Sequence, residues 1–183
     1  MIIPQSKDEL KELLDSRYKR YANKLFLVDD PIQIPHRFSK SEDIEIAGLL
    51  TATIAWGNRK SILNSMTRLL AAMGNSPFEF VINFKPTDRK YLKGFVHRTF
   101  NEEDCAAFIQ VLNSIYTEQG GLRNVFVDPY NQNQSIADSI NAFRNCFVNA
   151  RIPSRTLKHT PNIDAGSAAK RLNMFIRVIK VAN

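Results

Sequence analysis

The chain has 183 residues, 44% of them apolar and 23% charged, and a formal net charge of +7. This composition fits a single globular domain over residues 1–183. It excludes extensive disorder and, because no run of 18 apolar residues occurs, a membrane-spanning helix. The charge excess is confined to residues 144–183, where eight Lys and Arg side chains face one acid, Asp164, while residues 1–143 carry 17 of each sign and balance.

Helix punctuation is legible along the chain. Ser6 with Glu9 reads as a capping box, followed by Leu10, Leu13, Leu14, Tyr18 and Tyr21 on one helical face. A loop through Asp29, Asp30, Pro31 and Pro35 precedes a second box, Ser39 with Glu42. That box opens an apolar helix from Ile44 to Trp56, closed by Gly57. Asn58 is placed to cap the next helix, whose stripe is Ile62, Leu63, Met66, Leu69, Leu70 and Met73, ended by Gly74. Ser76, Pro77 and Glu79 start a short helix that stops before Pro86, and a small helix fits Asp88 to Lys93.

Asn101 and Asp104 start a clear helix with Cys105, Phe108, Ile109, Leu112, Ile115 and Tyr116 on one face, stopped at Gly120 and Gly121. Leu122 to Val127 predicts one further turn, and Asp128 to Gln134 reads as a polar loop. Ile136, Ile140, Phe143 and Phe147 mark the next helix. Residues 151–166 read as irregular, and Ser167 is placed to cap a last helix bearing Leu172, Phe175, Ile176 and Ile179. Ile2-Ile3, Leu25 to Val28 and Phe95-Val96 are too short to build a sheet. The expectation is an all-α fold, a multi-helix orthogonal bundle around one core.

No nucleotide-cradling or nucleophile-elbow motif occurs, so no cofactor is expected. His36, His97 and His159 stand far apart and the two cysteines, Cys105 and Cys146, share no metal-ligand spacing, so no metal is expected either. Both cysteines sit among apolar residues and read as small buried hydrophobes. No leader is read at the start of the sequence, and a cytoplasmic chain is the expectation. The acids at Glu42-Asp43-Glu45 and Glu102-Glu103-Asp104 fall in first turns, where they complement the helix dipole, and Asp29-Asp30 reads as turn chemistry. No catalytic residue can be named from these patterns.

Two segments carry candidate anion contacts. Gly166, Ser167, Lys170 and Arg171 combine small residues, a helix start and two cations, which suits a backbone phosphate; Arg155 and Lys158, with His159 beside them, widen the patch. Asn58, Arg59 and Lys60, after the tight turn at Trp56-Gly57, form the second. The competing reading of both is solvated charge at ordinary helix corners. DNA is the expected partner, and a protein partner or self-association through the last helix is the alternative.

Three stretches together carry a resemblance: SEDIEIAGLLTATIAWGNRKSIL, GFVHRTFNEEDCAAFIQVLNSIY and GSAAKRLNMFIR. In these the chain resembles the bacterial family called domain of unknown function 2400, over nearly its whole length. That family's helical pattern is similar to helix-hairpin-helix base-excision DNA glycosylases, which implies a glycosylase-like helical domain and a DNA-repair setting. The glycosylases' L-P-G-V-G hairpin is missing from this sequence, as is the family's later proline-leucine-aspartate region. The resemblance therefore implies a C-terminally truncated chain, inactive or incomplete as a glycosylase.

Overall fold

The computed structural model describes residues 6–21 and 28–181. Ile2-Ile3, Leu25 to Leu27 and the side chains of Tyr21, Val178, Ile179, Lys180 and Val181 lie outside what it describes. Among the described residues eight α-helices make the bundle: α1 (Lys7–Tyr21), α2 (Ser41–Thr53), α3 (Arg59–Ala72), α4 (Pro77–Ile82), α5 (Glu102–Glu118), α6 (Leu122–Asn133), α7 (Ile136–Val148) and α8 (Lys170–Val181). Short 3-10 helices fill several connections. The one sheet among the described residues is a two-stranded antiparallel hairpin, β1 (Val96–His97) with β2 (Phe100–Asn101), with Val96 opposite Asn101. The fold is all-α.

Helix α2 is the centre. Every residue from Glu45 to Thr53 is buried, as its lack of charge after Glu45 predicts. Helices α3, α4 and α8 pack around it. Helices α6 and α7 form a hairpin turned at Gln134, which takes left-handed backbone (φ 52°). Phenylalanine contacts join these helices into one core. Phe175 of α8 meets Phe126 of α6 at 5.9 Å between ring centroids. Phe126 stacks on Phe143 of α7 at 5.3 Å, and Phe147 meets Phe108 of α5 at 4.6 Å. Phe108 in turn meets Phe100 of β2 at 5.3 Å, and Phe100 meets His159 at 4.9 Å. The aromatic core therefore ends on an imidazole.

Several sequence expectations are corrected. Residues 128–134 are not a loop, because α6 continues through Pro129 to Asn133. A Pro in a helix interior removes one backbone bond and normally costs about 3 kcal/mol, so the sequence signal points to a stop. Packing on α7 overrides it, and Ser139 of α7 donates its hydroxyl to the Phe126 carbonyl at 2.7 Å, just ahead of the proline. Helix α2 starts at Ser41 behind Lys40, with no side-chain cap, so Ser39 does not cap it, and it ends at Thr53 rather than Trp56. The last helix starts at Lys170. Ser167 Oγ accepts from the Ala169 N–H at 3.2 Å, before the helix begins.

The apolar residues of α8 whose side chains are described are mostly covered. Leu172 and Phe175 are buried and Ile176 is half-buried, against α2 among others. Met174 of α8 is exposed, as are Leu10, Leu14 and Tyr18 of α1. Phe175 is the principal anchor of α8, with no exposed surface. Phe175→Ala removes a core aromatic and is expected to cost about 3–5 kcal/mol. The urea midpoint of unfolding measures this, and an unchanged midpoint would show that α8 does not depend on its aromatic anchor.

Candidate functional site

The site grows from the N-terminus of α5. Asn101 and Asp104 form a reciprocal capping box: Asn101 Oδ1 accepts from the Asp104 N–H at 3.1 Å, and Asp104 Oδ2 accepts from the Asn101 N–H at 3.2 Å. The Asp104 side chain is fully buried, so its charge requires partners. The 3-10 segment Ser154–His159 supplies them. Thr156 Oγ1 donates to Asp104 Oδ1 at 3.0 Å, and Arg155 Nη1 lies 3.0 Å from Oδ2. Arg155 also reaches Asn101 Oδ1 at 2.7 Å, Glu103 at 3.4 Å and the Thr99 carbonyl at 3.3 Å.

His159 closes this segment, with its side chain only 3% exposed. Its Nε2 lies 3.3 Å from Asp104 Oδ2, but the two are not aligned as a hydrogen bond, so Nε2 is buried without a hydrogen-bond partner. Phe100 meets the ring edge to face, and Trp56 stacks against it at 6.0 Å with 12° between the planes. Burial pushes the imidazole below its ordinary pKa. Lys158 and Arg171 push it the same way, while Asp104 opposes them. The ring is therefore a neutral base near pH 7.

Arg171, in the first turn of α8, donates from Nη1 to the Thr53 carbonyl at 2.6 Å, and its guanidinium lies 4.6 Å from the Trp56 ring centroid. It thus satisfies one of the terminal carbonyls of α2 and rests on an aromatic face. Burial lowers its pKa, as for any cation moved from water. Arg144 of α7 donates from Nη1 to the Leu157 carbonyl at 3.2 Å and the Thr160 carbonyl at 2.8 Å, holding the turn that carries Lys158 and His159.

These elements enclose a pocket of about 550 Å³ between the end of α2, the side of α7, residues 157–169 and the start of α8. Four permanent cations line it (Arg144, Lys158, Lys170 and Arg171), with His159, Gly166 and Ser167. Among the described residues no carboxylate lines it; Asp164 accepts instead from Asn141 Nδ2 at 3.3 Å.

Of the nine residues the sequence singles out, Lys158, Gly166, Ser167, Lys170 and Arg171 share this pocket. Arg155 does not line it and is turned to Asp104 and Glu103. Arg59 pairs with Asp30 at 3.5 Å. Asn58 caps α3 through its Oδ1, which accepts from the Lys60 N–H at 2.9 Å. Asn58 and Lys60 line a separate polar groove along α3. The turn between the two clefts is tight. Gly57 has φ +101°, and the Arg98 guanidinium sits 2.5 Å from where a Cβ would be. Sequence patterns do not single out Asp104 or Arg144. Asp104 is masked by its capping role, and Arg144 by its place in a regular helix. Among the described residues no group of His, Cys, Asp or Glu is placed to hold a metal ion.

A family model described as "Protein of unknown function (DUF2400)" matches residues 30–179. No curated protein and no solved structure matches the chain.

Two outcomes follow from this geometry. Asp104→Ala takes the carboxylate from Thr156 and Arg155 and removes one half of the α5 capping box, and is expected to cost roughly 3 kcal/mol; a urea midpoint within error of the parent would contradict the described network. His159 gives a pH dependence. Its folded pKa lies below the unfolded value near 6.5, so the unfolded chain binds the proton more readily. Stability is therefore lost as pH falls through about 6.5 toward the folded pKa. His159→Gln is expected to flatten the fall in unfolding midpoint between about pH 7.5 and 5.5; equal slopes in the two proteins would show that His159 is not perturbed.

Proposed function

The chain belongs to this family, whose description assigns no activity, and we propose from the pocket itself that the protein binds DNA by seating a backbone phosphate against the start of α8. The observation that carries this reading is the concentration of Arg144, Lys158, Lys170 and Arg171 around one cavity with no lining carboxylate among the described residues. Such a cavity holds a positive potential that only an anionic group relieves. Cations at a helix N-terminus oppose the helix dipole, and a bound phosphate removes that conflict. Two of the cations, Lys158 and Lys170, belong to exposed residues and are available to a strand arriving from solvent.

The surroundings support a polymer rather than an isolated ion. Trp56 contacts both His159 and Arg171, two of the residues that line the pocket. The chain leaves Trp56 through Gly57 to Asn58 and Lys60, which line the polar groove with Arg68. A strand with one phosphate in the pocket has a second polar surface within reach of the same turn. Kinship with base-excision glycosylases is a narrower form of the same proposal.

Fluorescence anisotropy with labelled single-stranded and duplex DNA tests the proposal. Binding is expected at low salt and should weaken steeply between about 50 and 200 mM salt, as counterion release requires. Lys158→Ala with Lys170→Ala is expected to lower affinity and to reduce the slope of log K against log salt by about 0.7–0.9 for each phosphate no longer neutralised. Absence of binding at low salt, or a slope untouched by the double substitution, would refute it.

A further inference from the structure

We propose that His159, backed by Asp104, is the proton-accepting group of a phosphodiester-hydrolysing site in this pocket. The inference rests on the phosphate-binding reading above and deepens it.

Three arrangements on the structure support it. First, His159 lines the cationic cavity, and behind it the ring faces a buried carboxylate with a nitrogen that makes no aligned hydrogen bond. His159 Nε2 has no aligned partner, although Asp104 Oδ2 stands 3.3 Å away. Catalytic hydrogen bonds are often long or misaligned before substrate arrives and tighten when charge develops. Second, the pair is held rigidly. Thr156, Arg155 and the Asn101 N–H fix the carboxylate. Phe100 and Trp56 fix the ring. A base oriented by a buried carboxylate is the arrangement that general-base catalysis needs: the carboxylate steadies the ring and stabilises the imidazolium that forms. Third, the cations beside the ring are placed to hold non-bridging oxygens, whose negative charge grows as phosphorus becomes five-coordinate.

With Nε2 turned to Asp104, Nδ1 is the ring nitrogen that works on the substrate. A water attacks the phosphorus of the seated diester as Nδ1 takes one of its protons. The new P–O bond forms, the bond to the leaving oxygen breaks, and that oxygen takes the proton back from the imidazolium. One water is consumed, and one phosphomonoester and one hydroxyl are produced. Asp104 is a positioning residue in this step. The charged groups facing His159 are Asp104 from α5, Lys158 from its own segment and Arg171 from α8. The ring is uncharged near neutrality, so the rate should rise with pH along an acid limb and level off below the ordinary imidazole range.

The test uses the full chain with bis(p-nitrophenyl) phosphate and with end-labelled DNA, following p-nitrophenolate release and strand scission. Binding of the same DNA is measured in parallel by anisotropy. The parent protein is expected to turn over both probes. His159→Gln is expected to lose on the order of a hundredfold or more in rate while keeping DNA affinity. Asp104→Asn keeps one oxygen acceptor, enough for either Thr156 or the Asn101 N–H, and loses the negative charge that supports the imidazolium. It should slow the reaction and move the acid limb to lower pH, a shift that simple loss of folded protein does not produce. DNA binding without turnover of either probe, or turnover unchanged in His159→Gln, would overturn the hydrolytic role and leave the binding reading intact. Failure of the parent to bind DNA would overturn both.

Discussion

A single buried carboxylate organises the molecule's functional end. Asp104 completes the cap of α5 and, from the same two oxygens, holds Thr156 and Arg155 and faces His159. Residues 151–169 contain little regular structure, so they have few backbone bonds of their own to fix their course. Tying the first half of that stretch to α5 gives Lys158 and His159 a defined place, and Arg144 ties the same turn to α7 at Leu157 and Thr160. Without these two anchors the cations of this segment would be solvated charges on a loop. With them, Lys158 lines one wall of a pocket whose other wall is α8.

The core explains why that pocket is open and still well shaped. Helix α2 is enclosed on all sides, and its C-terminal end at Thr53 stops short of the apolar run that continues to Trp56. The residues past the helix end turn Trp56 outward, where it is half-buried between Arg171 and His159. The phenylalanine chain from α8 to Phe100 sets the distance between the helices that bear the two faces of the site.

Much of this was legible in the sequence, and the exceptions have physical causes. The helical class, the Asn101–Asp104 box, the Asn58 cap and the buried stripes of α3, α5 and α7 follow from local spacing, and local spacing is what sequence patterns report. The polar stretch Asp128 to Gln134 reads as a loop because local polarity is outweighed only by packing between α6 and α7, which no window of residues contains. Lys158, Lys170 and Arg171 drew attention through charge, but the same criterion also selected Arg155 and Arg59, which face carboxylates distant in sequence. Asp104 was visible only as a cap. Its second set of partners lies some 50 residues away and is a property of the fold alone.

Arg171 commits its guanidinium to the scaffold and is also part of the pocket lining. An anion that draws it inward takes a donor from the last carbonyl of α2, and one that leaves it in place forgoes a bidentate grip. Affinity and heat tolerance are therefore set against each other at this one side chain. Homologues from hot environments would be expected to keep the arginine on Thr53 and to seat their ligand with the flanking lysines.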